Sequence, residues 1–300
     1  MKYIFKTGAD LLRLAEKYKK SISEIAINYE IESFKKTREE VIEKMKKNLD
    51  VMREAVKEGI KNKGKSLSGM SGGNAAKMYE FAKSRRQKFS SATTLRAMAY
   101  AMATGEINAK MGRIVAFPTA GGAGAVPGAI LSVAEEIKAK EDKILSALFT
   151  ASAIGLVIAE NATLSGAEGG CQAEVGASAA MAAAGITELR GGSPRECLTA
   201  AALALKNMLG LTCDPLGGLV EVPCIKRNAI ATSTAISASD MAMAGIESFI
   251  PFDEIVKAMK NIGELMAHEL KETALGGLAI TKTGCRLRAK MGLPPIKPLE

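Results

Sequence analysis

Three thiols in this sequence sit where glycine and proline argue against regular helix. Cys171 closes the run "SGAEGGC", and Cys213 and Cys224 flank the turn in "GLTCDPLGGLVEVPCIKRN", each within two residues of a proline. Thiolates held in irregular backbone can converge on one centre. Three of them with no histidine nearby suit an iron–sulfur cluster better than zinc, because soft sulfur selects such clusters while structural zinc takes four protein ligands. A cluster held by three cysteines leaves one iron open as a Lewis acid. Closely spaced ferredoxin-type cysteines are absent, which disfavours an electron carrier. A cluster that senses iron or redox state, or a structural zinc, would use the same thiols. Cys197, on the amphipathic stretch "SPRECLTAAALALKN", reads as a small core residue.

Other residues offer binding rather than metal chemistry. Gly121, Gly122 and Gly124 precede an expected helix, and Ser71, Gly72, Gly73 and Asn74 precede another. Exposed N–H groups at a helix start favour a small anion such as a carboxylate. A tight glycine turn, or N-capping by Asn74, accounts for the same residues without a ligand. "GIKNKGKS" spells a Walker A pattern through Gly59, Gly64, Lys65 and Ser66, but an amphipathic helix precedes it instead of a strand, so the match is taken as chance. "GAGAVPG" departs from a dinucleotide fingerprint at Pro127. His268, the only histidine, lies in "ELMAHELKET", a charged stretch expected to be helical and exposed.

The elements that must position these groups read as helices. Trp is absent, Phe and Tyr number only eight and five, and 47% of residues are apolar, so Ala, Leu, Ile, Met and Gly must fill the core. That composition favours closely packed helices. Val41, Met45, Leu49, Met52, Val56 and Ile60 form one stripe on a long helix. Ser21 and Glu24 are spaced as a capping box. A loop over 62–73 leads to a helix near Asn74, another helix ends near Gly105, and "RIVAF" is the only strand candidate. Further helices are expected from Pro127 to about Lys140, over 194–209 and 229–244, and from Phe252 to Thr273. The small apolar region 144–185 is the expected centre. The fold class is therefore all-α, a single catalytic domain with irregular Gly-rich loops and at most a short strand or two. Residues 1–20 form an N-terminal segment, 21–290 the domain with a helical arm at about 21–61, and 291–300 a tail.

Charge and length bound the partners. The net charge is +9, concentrated in the mixed-charge first fifth of the chain without interleaved aromatics, so no nucleic-acid partner is expected. The longest uncharged apolar run, "ILSALFTASAIGLVIA", has sixteen residues where a membrane span needs about 20, so no membrane partner is expected either. Five cysteines, an odd number, and no leader-like start point to the cytoplasm.

The runs "SGAEGGCQAEVG", "GLTCDPLGGLVEVPCIKRN" and "KETALGGLA", in order and spacing, closely resemble the iron–sulfur-dependent bacterial L-serine dehydratases, specifically the alpha chain of the two-subunit type. The resemblance covers about residues 20–290. It implies a [4Fe–4S] cluster on Cys171, Cys213 and Cys224, L-serine as substrate, a separate beta subunit, an oligomer, and release of pyruvate and ammonia without pyridoxal phosphate. It places substrate contacts on Ser68, Gly72, Gly73, Thr119, Gly121, Gly122 and Gly124. Lys77, with Ser71 and Asn74, is the catalytic candidate within this chain. The family's histidine motif belongs to the beta part, so that partner is the other source of a base. L-threonine and L-cysteine are the neighbouring substrates, one methyl or one O-to-S exchange away. Some members place a C-terminal cysteine on the fourth iron, and Cys285 stands fifteen residues from the end.

Overall fold

The segment "ASAAMAAAGITEL" is buried on every side except at Glu188, and a helix with no polar face belongs at the centre of a bundle. In the computed structural model, which describes residues 2–299, this is α9, Ala177–Leu189. The others are α1 Gly8–Tyr18, α2 Ile22–Phe34, α3 Arg38–Lys61, α4 Asn74–Lys83, α5 Ala92–Ala109, α6 Ala125–Glu136, α7 Glu141–Asn161, the short α8 Gly166–Gly169, α10 Pro194–Lys206, α11 Cys224–Met243, α12 Phe252–Leu265 and α13 Lys282–Lys290. Around α9 pack α6, α7, α10 and α11, and α5 carries α3, α4 and α6 on its outer sides. Among the described residues there is no strand, only one isolated parallel bridge between Cys213 and Lys271.

Small side chains let these backbones come close. A β-carbon at Gly59 of α3 would stand 2.6 Å from Ala103 of α5, and one at Gly185 of α9 2.8 Å from the Ala147 carbonyl of α7. The first of these disposes of the Walker A pattern, since Gly59 lies inside α3 as a helix-contact residue. Helix α7 is long and apolar enough to cross a membrane, yet most of it is buried as the partner of α9.

The expected stripe on α3 is realised, with Val41, Met45, Leu49, Met52 and Val56 buried. Residues 1–20 and the stretch expected as an arm share the main core: Leu11 and Leu14 of α1, Ile22, Ile25 and Ile27 of α2, and Leu49 of α3 are all enclosed. Several elements differ from expectation, among them α6, which ends at Glu136 rather than near Lys140, and α11, which begins at Cys224 rather than at 229. Helix α5 continues past Gly105 to Ala109, because that glycine admits Ile225, which would lie 2.9 Å from a β-carbon there. "RIVAF" has no regular structure and pairs with nothing. Helix α12 stops at Leu265 instead of Thr273, because the following chain extends to meet Cys213: Cys213 N–H donates to Leu270 O (2.8 Å) and Glu272 N–H to Cys213 O (2.7 Å).

Two consequences are measurable. Gly59→Ala is expected to cost about 1–3 kcal/mol in denaturant unfolding, because α3 and α5 must separate to admit the methyl group. Glu188 accepts from the Ser23 N–H (3.2 Å) and from the Thr150 hydroxyl, and burial pushes its carboxyl above the ordinary value. An acid raised on folding contributes stability that is full below its ordinary pKa and is lost as pH rises through the raised one. Glu188→Gln should therefore flatten the decline of stability with rising pH, read by urea denaturation between about pH 4 and 8.

Candidate functional site

Three thiols are brought to one buried region by three different devices. Cys171 heads a π-helical turn, Gln172–Gly176, that runs on into α9. The Gln172 side chain fastens that turn to its surroundings, donating to Met259 O (2.9 Å) and accepting from Gly210 N–H (2.9 Å), while Gln172 N–H donates to Leu211 O (3.0 Å). Cys213 is held in extended chain by its pairing with residues 270–272. Cys224 is the first residue of α11, directly after Pro223, rather than outside helices as its setting had implied; the proline ends the loop and starts the helix. All three side chains are at least 95% buried.

The charges around them are mainly negative. Glu174, inside the π-turn, accepts a 2.6 Å hydrogen bond from the Thr119 hydroxyl and lies 3.9 Å from Cys213 Sγ. Its oxygen, Cys213 Sγ and a Glu272 oxygen fall within 4.8 Å of one another, a group able to hold a metal ion. The three thiols do not form such a tight group, and a multi-iron cluster, larger than one ion, does not require its ligands to meet around one point. Arg227, one turn into α11, is the cation at the site: it donates to Thr212 O (2.7 Å) and pairs with Asp214 (2.9 Å).

These neighbours set the thiol acidities. A hydrogen bond from Cys213 holds Cys171 below the usual thiol value against the effect of burial, with Arg227 helping, and the same bond pushes Cys213 up. Cys224 is pushed up to about 12, first by burial and then by Cys171 and Glu174, with Arg227 opposing. Burial also raises the Glu174 carboxyl. Two of the three thiols thus resist ionisation in the bare protein, and a bound polycation would reverse that by taking them as thiolates.

Glycine clears the space. A β-carbon at Gly166 would stand 2.7 Å from Glu174 Oε2 and 3.1 Å from Cys213 Sγ, and one at Gly121 2.6 Å from Glu174 Oε2. Gly122 would meet the Glu174 carbonyl at 2.7 Å. Gly166 and Gly121 thus leave room for one carboxylate, while Gly169, Gly170 and Gly124 admit other neighbours.

The two expected anion sites at helix starts are already filled from within. At α4, the buried Glu106 accepts from Gly73 N–H (3.0 Å), Asn74 N–H (2.8 Å) and the Asn74 side-chain amide (2.8 Å). At α6, Asn228 accepts from Gly124 N–H (3.0 Å) and Ala125 N–H (3.1 Å) and donates to Gly121 O (2.6 Å) and Cys224 O (3.0 Å). Ser68 and Ser71 bond to Glu221, with Gly72 pressed against the Gly64 carbonyl. Lys77 is exposed on α4, facing a cleft with Asn74 and Lys226. His268 is exposed in a short turn after α12. Cys197 is fully enclosed in α10, and Cys285 on α13 directs its thiol at Ile280 O (3.6 Å) and Ile296 O (3.8 Å). A cavity of about 650 Å³ between α2, α3 and α7 is lined by no cysteine.

Sequence reasoning missed Glu106, Glu174, Glu221, Arg227 and Asn228. Glu106 did carry a signal, as a charged residue on an otherwise small and mostly apolar stretch of α5, whereas Asn228 stands beside Lys226 and Arg227 and carried none. Glu174 and Glu221 lay inside the quoted motifs, but only the structure shows their partners.

The family described as serine dehydratase alpha chain matches residues 17–279. A probable L-serine dehydratase alpha chain of Bacillus subtilis is 46% identical over 96% of this chain and 95% of its own length. The L-serine dehydratase alpha chain of Peptoniphilus asaccharolyticus is 39% identical over 94% of this chain and 96% of its own. An L-serine dehydratase of Streptomyces coelicolor is 40% identical over 95% of this chain but only 63% of its own length.

Asn228 joins the 121–125 loop to the Cys224 helix with four hydrogen bonds, so its removal is the sensitive test of this frame. Asn228→Ala is expected to cost about 2–4 kcal/mol in denaturant unfolding, the price of stranding a helix cap and two buried carbonyls.

Proposed function

The chain belongs to the serine dehydratase alpha-chain family, and on that premise we propose that it deaminates L-serine to pyruvate and ammonia with a [4Fe–4S] cluster on Cys171, Cys213 and Cys224. The observation that carries this reading is the donor set. Three buried thiols with no histidine among them stand in one region, with glycine at positions 121 and 166 keeping side chains out of it. That chemistry suits iron–sulfur ligation.

The reaction balances as loss of the Cα proton and the β-hydroxyl, giving aminoacrylate, which tautomerises to the imine and takes up water to release ammonia. When bound, the cluster supplies a Lewis-acidic iron that eases departure of the hydroxyl. This chain's own residues hold the frame: Thr119 orients Glu174, Asn228 fixes the 121–125 loop, and Arg227 anchors Thr212 and Asp214 beside Cys213. Glu106 and Asn228 occupy the first N–H groups of α4 and α6, so substrate contact with the loops 68–74 and 119–124 runs through their side chains. For the Cα proton the reading keeps two bases: Lys77, whose N–H begins α4 on Gly73 O, or a group of the second chain. A separate beta subunit follows from the family's alpha-chain designation, and the longer Streptomyces relative has room for both parts in one chain.

The chain, prepared anaerobically with its partner, should be brown and release pyruvate from L-serine, with L-threonine and L-cysteine assayed alongside. Cys213→Ser should abolish both colour and turnover, and Cys197→Ser neither. A colourless, zinc-loaded protein that releases no pyruvate would overturn the reading.

A further inference from the structure

Three serines of the loop between α3 and α4 converge on one carboxylate. Ser71 donates to Glu221 at 2.6 Å, Ser66 at 2.7 Å and Ser68 at 2.8 Å, and Ser66 and Ser68 lie 3.1 Å apart. Glu221 is 5% exposed and sits in the turn that leads into Cys224. Among the described residues no lysine or arginine pairs with Glu221, nor with Glu106 on the other side of the same loop. Buried carboxylates without a cation are costly, and two of them flank this loop.

The hydrogen bonding decides what the cluster can bind. A hydroxyl has one proton and two lone pairs, and a carboxylate only accepts. All three protons are therefore spent on Glu221, and what the serines turn elsewhere are lone pairs. Ser66 and Ser68 each give one of these to a backbone N–H, of Ser71 and Met70, and Ser71 keeps both. The result is three acceptor oxygens backed by one negative charge, complementary to a group with three N–H donors and one positive charge. Access lies at Ser68, half-buried next to exposed Leu67 and to Gly69, whose position faces open space.

We propose that Ser66, Ser68, Ser71 and Glu221 form the subsite for the α-ammonium group of the amino-acid substrate, on the turn that leads into Cys224. This deepens the dehydratase reading and rests on it. It also assigns the loop a cation rather than the substrate carboxylate, which two buried carboxylates would repel. Glu221 acts through the serines as a positioning residue that fixes their hydroxyl protons and supplies the charge.

The test uses the cluster-loaded holoenzyme with its partner, at matched visible absorbance. D-serine and 3-hydroxypropionate serve as competitive inhibitors; the second lacks only the amine. Glu221→Gln is expected to raise the KM for L-serine and the inhibition constant of D-serine about tenfold or more, and to change that of 3-hydroxypropionate by less than about twofold. Should that variant fail to fold, Ser68→Ala, which leaves the carboxylate on two hydroxyls, carries the same comparison with a smaller shift in the same direction. Equal losses for both inhibitors, the signature of a loop staple, or no change for either would overturn the subsite. Wild-type turnover separates the two failures: without pyruvate from L-serine the dehydratase reading falls, and with it only the subsite is at stake.

Discussion

Burying carboxylates with no cation to meet them is the constraint on which this structure turns. Glu106, Glu174 and Glu221 are each at least 92% enclosed, and among the described residues none is in an ion pair. Each is met by neutral donors: backbone N–H groups and an amide at Glu106, a threonine at Glu174, three serines at Glu221. Neutral donors must come in numbers and at close range, and that requires loops that can approach a carboxylate without side chains in the way. The serines at 66, 68 and 71 and the glycines at 121 and 166 answer that need.

The frame behind the loops has to be stiff for such distances to hold, and alanine provides it. Helix α9 carries the π-turn with Glu174 and Cys171 at its head, and its alanines let α6, α7, α10 and α11 close around it. Interiors packed to this density transmit displacement instead of absorbing it. A shift of α11 would therefore move Cys224, Arg227 and Asn228 together, since all three lie within its first two turns.

The sequence made the helical class legible because its signal is periodic and compositional, as on α3, where the stripe from Val41 to Val56 is buried as expected. The thiols were legible because glycine and proline bracket them, although only Cys213 stands in extended chain, Cys171 heading the π-turn and Cys224 beginning α11. What stayed hidden depends on contacts distant in sequence. The early end of α12 follows from the pairing of residues 270–272 with Cys213, almost sixty residues earlier, and no local propensity encodes it. The extension of α5 beyond Gly105 has the same origin, a glycine that reads as a stop but is there to admit Ile225.

The loop sites show where residue-type reasoning reaches its limit. Glycines before a helix do present N–H donors, and that is the feature from which an anion was inferred. The anion is the protein's own at α4, where Glu106 fills the position from α5, and at α6 a neutral amide from α11 does the same work. Once those donors are spent, the sign of the site changes. Around the 66–74 loop the unspent groups are hydroxyl lone pairs and carboxylate charge, and Arg227, the cation at the thiol site, is held by Thr212 and Asp214. A region so arranged attracts positive charge from outside, which is the sign that an ammonium group or a metal ion carries.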